Sequence, residues 1–339
     1  MEKEKSNKIE DVLKSIAKKY GADVATTGET KDIAKIESFS TNCYSLDGVF
    51  GCDGVPVGRV IDIYGEASSG KSTMAMYIVA QAQKTGKVVV WIDTEYSFTY
   101  EYAKKIGVDV DKLILVQPNS GEQALNILIS FVESGDIGLV VLDSTGSLVA
   151  EKELEGNIED ANMALQARMI SKCLRVITPS SAKNKTTVVF ISQTRSKIST
   201  GWSPGGGPTT DSTGGKALKF YSSVRLKVNK IQKIQAKDKE IIGNRLKIEA
   251  TKNKVGIPFR IAEVNLYFAK GLDVDGDIFD VALTKGIISK SGNTYSYGGK
   301  VLGVGRDTAL AGVIAEEGMI DKIRKIVYGG EVPKKEEKK

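Results

Sequence analysis

A glycine-rich segment that joins a strand pattern to a helix pattern is the feature that most constrains the fold of this chain. Residues 65–73 follow the apolar run 60–64 and precede the helical run 74–80. Glycines let the backbone curl so that its N–H groups point inward, and the following helix presents the positive end of its dipole to the same place. A strand, loop and helix of this kind bind phosphate groups. The sequence therefore predicts a site for a nucleoside triphosphate.

The side chains of this segment suit that ligand. Lys71 supplies a positive charge for the β and γ phosphates, and the hydroxyl of Ser72 can ligate the Mg²⁺ that accompanies them. A chance match is the alternative, and the strand and helix patterns on either side argue against it. The predicted nucleotide-binding residues of the loop are Gly65, Glu66, Ala67, Ser68, Ser69, Gly70, Lys71, Ser72 and Thr73.

Composition excludes several classes of protein and of chemistry. The 339 residues are 41% hydrophobic and 27% charged, which is ordinary for a globular protein of more than one domain. No apolar run reaches the roughly 18 residues of a membrane span, and the start lacks the apolar core of a signal peptide, so we expect a cytoplasmic protein without a membrane partner. The chain has no histidine and its three cysteines lack C-x-x-C spacing. Its chemistry must therefore come from carboxylates, lysines and amides.

The order of apolar runs predicts an α/β fold. Continuous apolar runs alternate with helical stretches, as in strands of a mostly parallel, twisted sheet that are buried on both faces. These runs are residues 88–92, 113–116, 139–142 and 187–191. Residues 223–232, 245–251 and 261–268 alternate apolar with polar side chains, and they predict an antiparallel extension of the same sheet.

The two ends of the chain predict smaller units. Residues 9–20 form an amphipathic helix that stops at Gly21, and the polar stretch after it lets this helix pack on a neighbouring subunit. The charged tail is either a solvated, disordered end or an arm that attracts phosphates. The predicted division is 1–33 for the N-terminal helix and linker, 34–270 for the core, 271–330 for a small α+β domain and 331–339 for the tail.

Two carboxylates follow buried strands of the predicted core. Asp143 ends the run 139–142, where it can hold Mg²⁺ beside Ser72 or merely cap a helix. Glu95 follows the run 88–92, where it can polarise a water for attack on the γ-phosphate or lie on the surface. The phosphate loop favours the metal role for Asp143.

Taken together, these features resemble the RecA family of bacterial recombinases from the N-terminal helix to about residue 330. Several independent blocks occur in the family's order, which chance does not explain. The most specific are residues 45–47, 58–59, 117–118, 120–125, 214–221, 223–226, 252–254 and 258–259. Ala67, Thr99 and Ser192 depart from the family pattern, as does Lys216.

The resemblance implies a RecA-type core that uses ATP and Mg²⁺. It implies a filament on single-stranded DNA that hydrolyses ATP between subunits, pairs homologous strands of double-stranded DNA and repairs breaks, with a single-strand-binding protein or a loader as a further partner. It assigns Glu95 as the catalytic carboxylate, Tyr102 as the ring on adenine and Gln193 as the γ-phosphate sensor. It makes Lys252 and Lys254 cations that reach the ATP of the adjacent subunit, as an arginine finger does.

The resemblance also assigns two DNA-binding loops, at about residues 155–164 and 195–213. The second is rich in glycine and offers cations, backbone N–H groups and one tryptophan, a mixture that suits sequence-tolerant binding of a single strand. A flexible surface loop is the alternative. The predicted DNA-binding residues are Met163, Arg168, Arg175, Arg195, Lys197 and Trp202.

Two other functions use the same core. A hexameric DNA helicase also places ATP between subunits, and the block at residues 220–221 together with the N-terminal helix argues against it. A nucleotide-gated DNA-binding scaffold binds ATP without significant turnover, and Glu95 argues for an enzyme instead.

Overall fold

The computed structural model describes residues 2–21, 24, 36–155, 163–196, 210–212, 215–236 and 238–329. The chain divides into two compact units, Met1–Glu37 and Ser38–Lys339. The first unit contains helix α1, Glu2–Tyr20. It ends at Gly21, whose φ of 105° is left-handed and therefore favours glycine. The predicted amphipathic helix and its stop are confirmed, and the helix begins earlier than residue 9.

The second unit contains the remaining elements. Its strands are β1 (Ser38–Phe39), β2 (Val55–Pro56), β3 (Val60–Gly65), β4 (Val89–Asp93), β5 (Leu113–Val116), β6 (Leu139–Asp143), β7 (Thr187–Ser196), β8 (Thr210–Ser212), β9 (Val224–Gln235), β10 (Ile241–Asn253), β11 (Ile261–Tyr267), β12 (Gly271–Leu272), β13 (Ser289–Ser291), β14 (Thr294–Tyr297) and β15 (Lys300–Val304). Its helices are α2 (Tyr44–Phe50), α3 (Lys71–Lys84), α4 (Tyr100–Ile106), α5 (Gly121–Ser134), α6 (Glu151–Glu155), α7 (Met163–Asn184), α8 (Gly215–Tyr221), α9 (Val274–Thr284), α10 (Arg306–Ala315) and α11 (Met319–Val327).

One large sheet organises this unit. Its strands run in the order β12-β11-β10-β9-β3-β7-β6-β4-β5, and β8 pairs with the end of β7. The pairs from β9 to β5 are parallel, whereas β9, β10, β11 and β12 pair antiparallel. The predicted mostly parallel sheet with an antiparallel extension is confirmed, and the extension joins the parallel part through the parallel pair of β3 and β9.

Strand β5 differs from the prediction. Its apolar sequence predicts burial on both faces, yet Ile114 is 37% exposed and no residue of the strand is fully buried. The reason is its place at the edge of the sheet, beside β4 alone. Strand order depends on contacts between distant segments, so an apolar run does not reveal whether its strand is central.

Two hydrophobic cores cover the two faces of the sheet. Along β3, Ile61 and Ile63 pack into the core that contains α3, whereas Val60 packs into the core that contains α5, α7 and α8. Burial of each such side chain contributes about 1.5–3 kcal/mol. The central strands are therefore held from both sides, and their carboxyl ends form a rigid edge on which polar groups can be positioned.

A third core belongs to the C-terminal segment. Helices α9, α10 and α11 pack with the three-stranded sheet of β13, β14 and β15. The hydroxyl of Tyr328 donates to Asp47 Oδ2 at 3.0 Å, which links the end of this segment to α2. Strand β12 still belongs to the large sheet, and we keep the boundary at residue 271 as a proposal. In the part of the chain described above, no helix has the length and apolarity to span a bilayer.

Candidate functional site: a nucleotide-binding edge of the sheet

The phosphate loop lies between β3 and α3, as its sequence predicts. Gly65 ends the strand, and a Cβ there would lie 2.2 Å from the carbonyl oxygen of Val228, so only glycine fits. Ser68 and Gly70 have φ values of 56° and 90°, in the left-handed region. These backbone turns bring the loop back over the N-terminus of α3, where helix N–H groups and dipole favour an anion.

The loop has polar groups that match a triphosphate. Lys71 is only 6% exposed, and its Nζ donates to the carbonyl oxygen of Glu66 at 2.6 Å. Burial lowers the pKa of Lys71, while the nearby charges of Asp143 and Glu95 oppose that shift. Among the described residues, Ser69 Oγ is buried without a hydrogen-bond partner. A cradle with a buried cation and an unpaired hydroxyl is suited to binding phosphate oxygens.

Asp143 and Ser72 come together at the end of β6. Burial, together with the negative charges of Glu95 and Asp93, raises the pKa of Asp143 to about 7, against the opposing effects of a hydrogen bond with Ser72 and of the Lys71 charge. Hydroxyl and carboxylate oxygens are the ligands that Mg²⁺ prefers, alongside phosphate oxygens. Within the described ranges, no group of three or more His, Cys, Asp or Glu side chains forms a metal cluster. The pair therefore fits a metal ion that is shared with a nucleotide.

Glu95 lies at the centre of a hydrogen-bond network at the same edge. Its Oε1 accepts from Ser144 Oγ at 2.5 Å and from Gln193 Nε2 at 3.2 Å. Ser147 Oγ also donates to it, at 3.4 Å. Glu95 follows β4, Ser144 follows β6 and Gln193 lies on β7. Three separate strands thus hold one exposed carboxylate beside the phosphate loop.

Asp93 holds the turn that carries Glu95, and sequence reasoning missed it. Asp93 is fully buried, and its carboxylate accepts from the backbone N–H groups of Glu95 and Ser97, each at 3.2 Å. It also accepts from the N–H of Phe98 at 3.0 Å and from Gln117 Nε2 at 3.1 Å. The signal in the sequence was an aspartate that ends an apolar strand two residues before a candidate base.

Tyr102 lies on α4, close to the end of the loop. Its hydroxyl forms a 2.9 Å hydrogen bond with Thr73 Oγ1, and its ring packs partly against the core. The structure thus brings the residue predicted to stack on adenine next to the predicted phosphate-binding segment.

Lys252 and Lys254 donate hydrogen bonds to helix α8 of their own chain. Lys252 Nζ donates to the carbonyl oxygens of Lys219 and Phe220 at 2.6 and 2.8 Å, and Lys254 Nζ donates to Phe220 at 3.4 Å. These carbonyls end α8, where the helix dipole favours cations. The structure therefore places the two lysines at the end of α8, and it does not bring them to Lys71 or Glu95.

Two of the three predicted DNA-binding arginines, Arg168 and Arg175, lie on α7. Arg168 and Arg175 are exposed one above the other, and with Lys216 and Phe220 they line a groove of about 430 Å³ between α7 and α8. Phe220 is 66% exposed. The groove combines three cations with two aromatic rings, those of Phe220 and Tyr221.

The predicted DNA loops are only partly described. Lys197 and Trp202 lie outside the described residues, and for Met163 and Arg195 the description covers only the backbone. The predicted ends differ from the structure: Glu155 ends α6, Met163 begins α7, and β7 continues through Ser196 to pair antiparallel with β8.

Comparison with known protein families agrees with the fold. Residues 7–273 match the RecA N-terminal domain, and residues 276–329 match the RecA C-terminal domain. The chain belongs to the RecA family. It is accordingly an ATP-dependent DNA recombinase and a DNA-dependent ATPase, as the sequence predicted. The family binds ATP, with Mg²⁺ as its usual partner, and membership implies DNA binding and filament formation.

Individual relatives cover almost the whole chain. Protein RecA of Nautilia profundicola is 45% identical over 309 residues, which are 91% of this chain and 87% of the relative. Protein RecA of Geobacter sulfurreducens is 40% identical over 329 residues, which are 97% of this chain and 96% of the relative. The crystal structure of the RadB recombinase superposes with a TM-score of 0.51 at 20% identity, covering 69% of this chain and 98% of that one. That likeness shows the shared fold.

Proposed function

We propose that the site at the end of β3, β4, β6 and β7 hydrolyses ATP at the boundary between two subunits of a filament on single-stranded DNA, and that the filament exchanges homologous strands. The observation that carries this proposal is the 3.2 Å hydrogen bond from Gln193 to Glu95. It connects the candidate base to the strand that leads into the second predicted DNA loop. A change at the γ-phosphate therefore has a direct route to DNA.

Each side chain of the site has one role in this proposal. Lys71 and the loop N–H groups bind the β and γ phosphates, while Tyr102 packs against adenine. Ser72 and Asp143 hold Mg²⁺, which when bound supplies positive charge to the phosphate oxygens. Glu95 orients the attacking water and accepts its proton.

Ser144 and Gln193 keep the Glu95 carboxylate turned toward the nucleotide through the hydrogen bonds already described. Asp143 would hold the metal as a carboxylate, so metal binding there would be coupled to loss of the proton from Asp143.

The neighbouring subunit completes the site. Lys252 and Lys254 lie at the end of α8, next to the exposed side chain of Phe220, and in this proposal that end of the helix faces the neighbouring subunit. Two cations at such a boundary offset the charge that develops on the γ-phosphate only after assembly. Turnover then requires the filament. In the same assembly helix α1 of the predicted N-terminal segment 1–33 packs on a neighbouring subunit, and residues 34–270 form the core.

DNA lies against the groove between α7 and α8 and against the two predicted loops. Arg168 and Arg175 contact phosphates, Lys197 adds a further cation, and Trp202 stacks on bases. In this proposal the protein works in the cytoplasm, where a single-strand-binding protein or a loader prepares its DNA.

The test mixes two inactive variants. Lys71→Ala removes the loop cation and keeps Lys252 and Lys254. Lys254→Ala removes one of these two lysines and keeps the loop cation. Phosphate release in the presence of single-stranded DNA should be low for each variant alone. The mixture should recover part of the activity at boundaries where an intact loop meets intact lysines. A site contained within one subunit would show no recovery at any mixing ratio.

A further inference from the structure

Three charged side chains form a row across the middle of the large sheet. Asp62 on β3 pairs in register with Arg225 on β9, and Arg225 is opposite Lys252 on β10, directly after a register shift between Ala250 and Lys252. Residues directly opposite each other on neighbouring strands lie on the same face of a sheet, which brings Asp62 and Arg225 together, and the register shift leaves Lys252 as the residue of β10 opposite Arg225. The row therefore carries one negative charge followed by two positive charges. It ends at Lys252, which is proposed above to contact the ATP of the neighbouring subunit.

The first two members form a buried ion pair that fixes the guanidinium. Arg225 Nε donates to Asp62 Oδ2 at 2.8 Å, and the two residues are 7% and 0% exposed. Ser192 Oγ donates to the other carboxylate oxygen at 2.8 Å, and the ring of Tyr64 covers the guanidinium at 4.3 Å. Burial raises the pKa of Asp62, while the Arg225 charge opposes this shift. The carboxylate thus has both oxygens engaged, and Arg225 has little freedom to turn.

Such a pair is poor evidence for stability alone. Removing two charges from water costs several kcal/mol per ion, and a buried ion pair often stabilises a fold no more than apolar residues of similar volume do. Central strands of a sheet are ordinarily apolar, as Ile61 and Ile63 on either side of Asp62 are. A role beyond stability would explain why charges occupy this row.

Lys252 lies between opposing influences. The buried charge of Arg225 repels its ammonium group, while the carbonyl oxygens of Lys219 and Phe220 accept from Nζ at 2.6 and 2.8 Å. Burial, together with the positive charges of Lys254 and Arg225, lowers the pKa of Lys252 to about 8. Arg225 therefore helps to direct the lysine away from the sheet and toward the surface at the end of α8.

We propose that Arg225, locked in place by Asp62, is a positioning residue for Lys252 and so acts on the ATP bound by the neighbouring subunit. The inference rests on the between-subunit role of Lys252 proposed above. The inference implies that loss of Arg225 in one subunit weakens hydrolysis of the ATP bound by the neighbouring subunit, to which the first subunit contributes its lysines. The ATP site formed by the first subunit's own phosphate loop should remain intact.

The competing route runs within one subunit. Asp62 also contacts Ser192, which precedes Gln193, so a defect transmitted on that side would weaken the ATP site of the same chain. A loss of global stability would weaken both sites. The three possibilities therefore differ in which ATP site is affected, and a mixture of marked subunits separates them.

The experiment uses two background variants. The acceptor subunit carries Lys252→Ala and Lys254→Ala and keeps its own loop. The donor subunit carries Lys71→Ala and keeps its lysines. In mixtures with single-stranded DNA, phosphate release arises where an acceptor's ATP meets a donor's lysines. Arg225→Gln is then added to the donor alone or to the acceptor alone.

The proposal predicts unequal results. Arg225→Gln in the donor should lower kcat of the mixture about ten- to a hundredfold, since a misplacement of about 1 Å can cost a hundredfold. The same change in the acceptor should alter kcat less than threefold. Arg225→Lys in the donor should recover part of the loss, because it keeps the charge. Equal losses from the two placements, or no loss from either, would overturn the proposal.

A matched control uses another arginine and aspartate pair. Arg306 donates to both carboxylate oxygens of Asp280 at 2.8 and 2.7 Å, in the C-terminal segment. Arg306→Gln in the donor should leave kcat of the mixture unchanged. If Arg225→Gln does not fold alone, the double variant Asp62→Asn with Arg225→Gln removes both charges together. This double variant is placed in the donor or in the acceptor in the same way. It should again lower kcat more in the donor than in the acceptor.

The unmodified mixture tests the foundation separately. If donor and acceptor together recover no activity, the between-subunit role of the lysines is wrong, and the inference about Arg225 is overturned with it. If the mixture recovers activity and that activity is insensitive to where Arg225→Gln is placed, the between-subunit role stands and only the positioning role of Arg225 is overturned.

Discussion

Replacement of Asp93 by asparagine tests how Glu95 is held. The carboxylate of Asp93 accepts four hydrogen bonds: Oδ1 from the N–H groups of Glu95 and Ser97, and Oδ2 from the N–H of Phe98 and from Gln117 Nε2. The asparagine side chain would have the same shape but only one acceptor oxygen. Its NH₂ group would face two of the hydrogen-bond donors that now bind the carboxylate.

The cost follows from counting those donors. If the amide oxygen keeps the bonds from Glu95 and Ser97, Gln117 can turn its own amide to accept from the new NH₂ group. The N–H of Phe98 is then buried without an acceptor, which costs about 1–3 kcal/mol. The two bonds that remain lose their charged acceptor, at about 1 kcal/mol each. The total is about 3–5 kcal/mol, which a protein of ordinary stability survives.

Turnover should fall as well, because the turn loses part of its hold on Glu95. A shift of the carboxylate by about 1 Å should lower kcat ten- to a hundredfold. The affinity for ATP should change little, since Lys71 and the loop N–H groups are untouched. Urea unfolding and phosphate release with saturating single-stranded DNA measure the two effects on one preparation.

The control is Asp109→Asn. Asp109 pairs with Lys112 at 2.9 Å, and Lys112 has an exposed fraction of 80%. Such an exposed pair is screened by water and contributes little to stability, so Asp109→Asn should resemble the unmodified protein in both assays. If Asp93→Asn is as stable and as active as Asp109→Asn, then the four hydrogen bonds do not position the base.

Three further predictions concern other parts of the chain. Glu95→Gln should keep nucleotide binding and slow phosphate release about 10²- to 10⁴-fold, because the shape stays while the base is lost; normal turnover would mean that another group is the base. Gln193→Ala should remove most of the enhancement of DNA affinity by ATP, expected to be about 5- to 150-fold, when both affinities are measured at one salt concentration; an unchanged ratio contradicts the coupling. Tyr328→Phe loses the hydrogen bond to Asp47 and should lower the free energy of unfolding by about 1–3 kcal/mol with normal phosphate release; identical urea curves would show that this bond does not hold the C-terminal segment.

The sequence reveals the parts of the site whose signal is local. The loop of residues 65–73 carries its strand and helix beside it, and Asp143 and Glu95 each directly follow an apolar run, so spacing alone is enough to find them. The central strands are also recognisable from a local signal, their continuous apolar sequence. Their side chains are apolar on both faces because helices cover both sides of the sheet.

Other parts depend on which strands become neighbours. The pairing of Asp62 with Arg225 joins residues 163 positions apart, and no local pattern encodes it. The edge position of β5 likewise follows from strand order. The between-subunit roles of Lys252 and Lys254 remain predictions, because they concern contacts that one subunit does not contain.

Strand exchange is the most direct test of the central claim. The protein is incubated with Mg²⁺, circular single-stranded DNA and a linear duplex, either homologous or unrelated, with and without ATP. The account predicts joint molecules and exchanged strands only with the homologous duplex and only with ATP, formed on open helical filaments seen by electron microscopy. Closed rings that separate both duplexes regardless of homology would contradict it and would indicate a hexameric helicase instead.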